Sequence, residues 1–171
     1  MKNDYIYERV KSLTRRYQTN DPFELLQALH VVCSEADRLK TLKGYCLLSC
    51  QTYYVVINSH LSDMEKRIVA AHELGHIALH KQELKMSPMK DSVLYDMTSR
   101  TEYEANLFAA NTLISDKDVE TLAQDPDLNY FSMCSCLNVS PELMSFKLYS
   151  LVQRGYSYHM PMEINSNFLA K

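Results

Sequence analysis

The sequence predicts an α+β fold in which a small sheet of about three strands packs on helices. Residues 44–63 are rich in Tyr, Val, Ile and Leu, and a polar stretch at residues 49–52 divides them, so they are predicted to form a β-hairpin. The short apolar segment 30–34 is predicted to supply one more strand. On both sides of these strands, apolar residues recur every three or four positions, which is the period of a helix.

Two helices are predicted before the sheet. Apolar side chains in residues 4–17 recur at spacings of four, three and four, so they share one helix face. The next helix is predicted to begin at Pro22, because Asp21 before it can act as the N-cap. Glu24 lies three residues after Asp21, which is the spacing of a capping box.

The helix after the hairpin carries the most informative motif of the chain. Ser62 and Glu65 have the capping-box spacing and predict where this helix begins. The motif AAHELGHIALH (residues 70–80) therefore lies within a helix. Residues 82–98 show little periodicity and predict a loop, and residues 99–114 predict the next helix.

Within this motif, the spacing His-Glu-x-x-His is typical of a zinc site. Residues four apart lie on one helix face, so His72 and His76 can bind a single metal ion. Glu73 can reach a water on that metal and accept its proton. Gly75 is costly in a helix interior, which predicts that another element packs closely against it.

A carboxylate on the following helix is the candidate third ligand. Glu102 shares a helix face with Ala105, Asn106 and Ala109, and the two alanines would let this face approach the histidine-bearing helix. Glu104 points about 200° away from Glu102 around the helix axis. We therefore favour Glu102 as the ligand and keep Glu104 as the alternative.

Two more polar residues are predicted to contact the ligands rather than the metal. Asn106 lies one turn beyond Glu102 and can accept a hydrogen bond from the second ring nitrogen of a ligand histidine. His80 lies four residues after His76, too far along a straight helix to share the ion easily. We expect His80 to support a ligand or to stabilise the C-terminal end of the helix.

Composition restricts the classes of partner. The net charge is −3, which gives no electrostatic reason to expect nucleic acid. No apolar run is long enough to span a bilayer, and the N-terminal residues lack the apolar region of a secretory signal. The five cysteines form no dense framework. We therefore expect a cytoplasmic protein with reduced thiols and without a membrane partner.

Taken together, these segments resemble the ImmA/IrrE family of bacterial and phage metallopeptidases. The resemblance rests on NDPFELLQAL, the hairpin ending in VVINSHLSD, AAHELGHIALH and EYEANLFAANTLI, and it covers most of residues 1–115. It implies a zincin-like fold with one zinc ion held by His72, His76 and one glutamate of E-x-E-A-N, and Glu73 as the catalytic residue. One departure is that residues 113–116 replace the Leu-Leu-x-Pro run common in the family.

Three regions are predicted along the chain. Residues 1–125 would form the zincin-like metallopeptidase domain, residues 126–155 a C-terminal helical extension, and residues 156–171 an irregular tail. The extension has a helix-turn-helix pattern, in which two predicted helices are joined by a short turn. Ser140 and Pro141 lie at the start of the second helix. That second helix is poor in basic and amide side chains, so packing or substrate docking is favoured over DNA contact.

Two functions are compatible with these residues. The first is a zinc endopeptidase, and the resemblance implies that its substrate is a helix-turn-helix transcriptional repressor whose cleavage would derepress phage, mobile-element or stress genes. The alternative is a non-catalytic zinc-containing regulator that sequesters a partner protein. Structural zinc is usually closed by four protein ligands, often cysteines. Three ligands beside an intact Glu73 favour the enzyme.

Overall fold

A computed structural model describes residues 4–91 and 99–158 and confirms the predicted α+β class. Within these residues, no helix combines the length and the hydropathy needed to cross a membrane. The elements follow one another as α1 (Asp4–Tyr17), α2 (Pro22–Ala28), β1 (Val32–Ala36), β2 (Gly44–Ser49), β3 (Thr52–Asn58), α3 (Asp63–Leu79), α4 (Lys81–Met86), β4 (Met89–Asp91), α5 (Arg100–Leu113), α6 (Asp116–Ala123), α7 (Tyr130–Leu137) and α8 (Pro141–Gln153).

Among the described residues, the sheet has four strands in the order β1–β3–β2–β4, whereas about three strands were predicted. β1 is parallel to β3, whereas β2 is antiparallel to both β3 and β4. The β2–β3 hairpin turns at Cys50 and Gln51, whose φ angles are 47° and 62°. Two consecutive left-handed residues give the turn a twist that matches the twist of the strands it joins.

The prediction of a loop over residues 82–98 was wrong for its first part. This segment contains most of α4 and all of β4, and residues 92–98 lie outside the described residues. A six-residue helix is too short to show a helical period, and only Leu84 of α4 is buried. β4 has three residues and exists through its pairing with β2, which is a tertiary contact.

The predicted helix starts are confirmed, with one difference in detail. Ser62 and Glu65 form the complete capping box at the start of α3. Asp21 caps α2 by accepting hydrogen bonds from the backbone of Phe23 and Glu24. The Glu24 carboxylate does not complete a box, because it accepts a hydrogen bond from Thr19 instead.

α3 and α5 pack against each other at the centre of the hydrophobic core. A Cβ atom at Gly75 would lie 3.1 Å from the Cα of Ala105 and 3.1 Å from the Cβ of Phe108. The close packing predicted at Gly75 is therefore confirmed, and Ala105 is one of the alanines expected to permit it. α8 packs on α5 as well, and its apolar residues join the same core.

A buried cation and two half-buried charged side chains meet where α8 contacts α1, α5 and α6. Asp116 accepts hydrogen bonds from Lys147 at 2.6 Å and from two nitrogens of Arg154 at 2.6 and 2.8 Å. Lys147 also donates to Asn111 at 3.1 Å, and Tyr7 donates to Asp116 at 3.1 Å. Lys147 is only 1% exposed, so this cation of α8 is engaged inside the protein.

Candidate metal centre

α3 presents two histidines from consecutive turns to one point. His72 and His76 are buried, and their Nε2 atoms lie 3.0 Å apart. The spacing of four residues in a helix produces this arrangement, because it places both side chains on one face. The apolar neighbours of the histidines anchor that face in the core, which holds both rings in place.

α5 brings a carboxylate to the same point. Glu102 Oε2 lies 3.2 Å from His72 Nε2, and Glu102 Oε1 lies 3.5 Å from His76 Nε2. Glu102 occupies the first turn of α5, where Ser99 caps the helix by accepting a hydrogen bond from the Glu102 backbone. The three side chains form a cluster whose ligating atoms all lie within 4.8 Å of one another.

These separations fit a tetrahedral metal site. Bonds of about 2.0–2.1 Å from zinc to nitrogen or oxygen place two ligand atoms about 3.3–3.4 Å apart. The Oδ1 atom of Asn106 lies 2.9 Å from His72 Nδ1 and can only accept, so Nδ1 donates and the Nε2 lone pair faces the cluster. A nitrogen lone pair beside a carboxylate is a suitable donor set for a cation.

Glu104 does not join this cluster. Its Oε2 lies 3.0 Å from His80 Nε2, and its Oε1 accepts a hydrogen bond from Arg100 at 2.6 Å. Burial alone would raise the pKa of Glu104, but hydrogen bonds from Arg100, Tyr5 and His80 outweigh burial and lower it. Burial, together with the hydrogen bond to Glu104, raises the pKa of Tyr5 to about 12.

The predicted contacts of Asn106 and His80 are both present in the structure. Asn106 contacts His72, as described above. His80 Nδ1 lies 3.0 Å from His76 Nδ1, and His80 is also the C-cap residue of α3. Each of the two histidines of the cluster therefore has a polar partner at its second ring nitrogen, which orients its Nε2 atom toward Glu102.

Glu73 follows His72 in α3, and its side chain lies at the contact between α3 and β2. Its side chain is fully buried. A Cβ atom at Gly44 would lie 3.1 Å from Glu73 Oε1, 2.5 Å from Val69 Cγ1 and 3.2 Å from the carbonyl oxygen of Val56. Glycine at position 44 thus leaves space for the Glu73 carboxylate. Sequence reasoning did not single out Gly44, although a glycine in a strand often marks a close approach.

We expect Gly44→Ala to destabilise the protein by roughly 1–3 kcal/mol, because the added methyl group overfills a packed contact. Urea unfolding measures the change. A double-mutant cycle with Val69→Ala provides the control, since a smaller residue at position 69 relieves the closest clash. Val69→Ala should therefore cost less stability in the Gly44→Ala background than in the wild type. Equal costs in both backgrounds would contradict the steric explanation.

Comparison with known proteins agrees with this geometry. Residues 29–149 match the family Peptidase_M78, described as the IrrE N-terminal-like domain. The chain belongs to this metallopeptidase family. The match includes β1 to β4, both helices of the candidate metal centre and most of α8. The resemblance noted from the sequence motifs is therefore confirmed.

Two relatives of this metallopeptidase chain illustrate the similarity. The chain is 32% identical over 107 residues to "Uncharacterized immunity region protein 2" of Bacillus phage phi105, a match that covers 63% of this chain and 66% of the phage protein. It is 26% identical over 161 residues to "Metallopeptidase ImmA" of Bacillus subtilis (strain 168), covering 91% of this chain and 92% of that protein.

Proposed function

We propose that the protein is a zinc-dependent endopeptidase that selectively cleaves a helix-turn-helix transcriptional repressor in the cytoplasm. Cleavage would relieve the repression of phage, mobile-element or stress genes. The metallopeptidase family supports the reaction class. The similarity to a protein of a phage immunity region supports a role in switching phage or mobile-element genes.

The convergence of His72, His76 and Glu102 carries this proposal. Among the residues that the structure describes, this cluster supplies three ligating side chains. Catalytic zinc typically has three protein ligands and keeps its fourth position for water or substrate, whereas structural zinc is closed by four. Two neutral nitrogen donors and one carboxylate are a donor set that suits zinc.

In the proposed reaction, Glu73 is the proton carrier. A zinc ion at this site would lower the pKa of a water molecule toward about 7 and polarise the scissile carbonyl group. Glu73 accepts the proton of the attacking water and then donates it to the leaving amine. Its carboxylate is confined between α3 and Gly44 of β2, so it is held in place before the substrate binds.

Selectivity would come from surfaces beyond the metal centre, and we propose that residues 126–155 are an extension that serves this purpose. α8 packs directly on α5, the helix that carries Glu102. Lys147, the main cation available for DNA contact by α8, is instead buried against Asp116. Phe131 of α7 is 64% exposed and offers an apolar contact on the surface of this segment.

Replacement of Glu73 by glutamine tests the enzyme against the sequestering regulator. We expect Glu73→Gln to keep zinc and the fold but to lose roughly 10²–10⁴-fold in cleavage rate, because the proton acceptor is removed and the ligands are not. Wild type or variant would be expressed together with a candidate helix-turn-helix repressor chosen from the neighbouring genes, and the repressor would be followed on a gel.

The control is the exposed residue Glu8 of α1, also a carboxylate, whose replacement by glutamine should leave cleavage unchanged. If wild type and Glu73→Gln relieve repression equally while the repressor stays intact, the protein acts by sequestration and the enzyme proposal is wrong.

A further inference from the structure

We infer that His80, Glu104 and Arg100 form a positioning chain that sets the orientation and the proton placement of His76. This inference rests on the proposed function, because it assigns these residues to the support of a metal ligand. It also gives Glu104 a role of its own, distinct from that of Glu102.

The chain of contacts is continuous from the metal centre to the surface. His76 Nδ1 lies 3.0 Å from His80 Nδ1, His80 Nε2 lies 3.0 Å from Glu104 Oε2, and Glu104 Oε1 accepts from Arg100 at 2.6 Å. The three inner residues are buried, whereas the Arg100 side chain is 73% exposed. The hydroxyl group of Tyr5, on α1, also hydrogen-bonds to Glu104.

For neutral imidazoles, the chemistry of the donors and acceptors specifies one proton arrangement. A carboxylate can only accept, so Glu104 receives the hydrogen bond from Nε2–H of His80. A neutral imidazole that carries its proton on Nε2 has an acceptor at Nδ1, so His80 accepts from Nδ1–H of His76. His76 then presents a bare Nε2 lone pair, which is the form required of a metal ligand.

The two histidines of the cluster are therefore supported differently. His72 donates to the neutral amide oxygen of Asn106. His76 is connected through a second imidazole to a carboxylate, and that carboxylate also accepts a hydrogen bond from the Arg100 guanidinium. Hydrogen bonding to an anion raises the basicity of a histidine ligand, so the chain should strengthen the bond from His76 to the metal.

Substitution of Glu104 tests the chain through zinc affinity and ring protonation. We expect Glu104→Leu, which removes the acceptor, to raise the zinc dissociation constant roughly 10–100-fold in competition with a chromophoric chelator. Nitrogen-15 NMR of labelled imidazole rings should show one His80 tautomer, protonated at Nε2, in the wild type and a mixture in Glu104→Leu. Glu104→Gln should fall between them, because its amide oxygen still accepts but carries no charge.

Two matched variants complete the series. Arg100→Gln removes the exposed end of the chain but leaves the Glu104–His80 hydrogen bond, so its effect on zinc affinity should be smaller than that of Glu104→Leu. Glu102→Leu removes a proposed ligand and should have the largest effect. Thermal unfolding of the metal-free proteins identifies any variant that fails to fold. If Glu104→Leu fails to fold, the zinc affinity and the His80 tautomer of Glu104→Gln decide the test instead.

The possible failures are distinguishable. Wild-type zinc affinity and an unchanged His80 tautomer in Glu104→Leu would overturn the positioning chain. A loss of zinc in Glu104→Leu as large as that in Glu102→Leu would also overturn it, because Glu104 would then be a ligand. If the wild type itself binds no zinc, the proposed function fails. The tautomer of His80 in the metal-free protein still decides whether the positioning chain of His80, Glu104 and Arg100 exists.

Discussion

Replacement of His72 or His76 by alanine is expected to abolish stoichiometric zinc binding. Each residue supplies one of the three converging donor atoms, and their Nε2 atoms are only 3.0 Å apart. The remaining two donors cannot complete a tetrahedral site without recruiting additional water, so affinity should fall below the range in which metal survives dialysis. Elemental analysis of the purified variants measures the zinc content per chain.

His60→Ala is the matched control, since this histidine is exposed and lies in the loop before α3. It should retain one zinc ion per chain. Glu102→Gln should weaken zinc binding far more than Glu104→Gln, because Glu102 and not Glu104 approaches both His72 and His76. Full retention of zinc in both histidine variants would refute the proposed metal site.

Asp116→Asn is expected to cause the largest loss of stability among the variants considered. The carboxylate is the shared partner of two cations, Lys147 and Arg154, where α8 meets the rest of the core. Its neutralisation leaves Lys147 buried and Arg154 half-buried without their counter-charge, and removing one partner of a buried ion pair typically costs about 3–5 kcal/mol. Burial already lowers the pKa of Lys147 to about 8 despite the presence of Asp116. Urea unfolding at neutral pH measures the loss.

The effect of Asp116→Asn should depend on pH in a defined direction. Burial would raise the pKa of Asp116, but Arg154 and Lys147 outweigh it and hold the pKa well below its usual range. An aspartate in the unfolded chain has a pKa of about 3.9. The ionised carboxylate therefore contributes stability above that pH, and this contribution is lost as the pH falls toward the lower pKa of the folded state.

The difference in stability between wild type and Asp116→Asn should accordingly shrink as the pH is lowered from about 6 toward 3. Asp127→Asn, at an exposed aspartate, should change stability by no more than about 0.5 kcal/mol. A difference that stays constant over this pH range would show that the loss arises from packing and not from charge.

The sequence alone determined the features that depend on local order along the chain. Helical spacing places His72 and His76 on one face of α3. The same argument places Glu102 and Glu104 on different faces of α5. Close packing at Gly75 was also predictable, because a glycine is costly in a helix interior unless something packs against it. These arguments succeed because helix geometry depends on spacing within a few residues.

Only the tertiary structure decided which distant residues meet. β4 has three residues and no pattern of its own, and it forms by pairing with β2. Gly44 makes space for Glu73, which is far from it in sequence, and His80 contacts Glu104 across 24 residues. Tyr7 reaches Asp116 across 109 residues. Such contacts depend on how the elements pack against one another, and the periodicity of a single element carries no information about its neighbours.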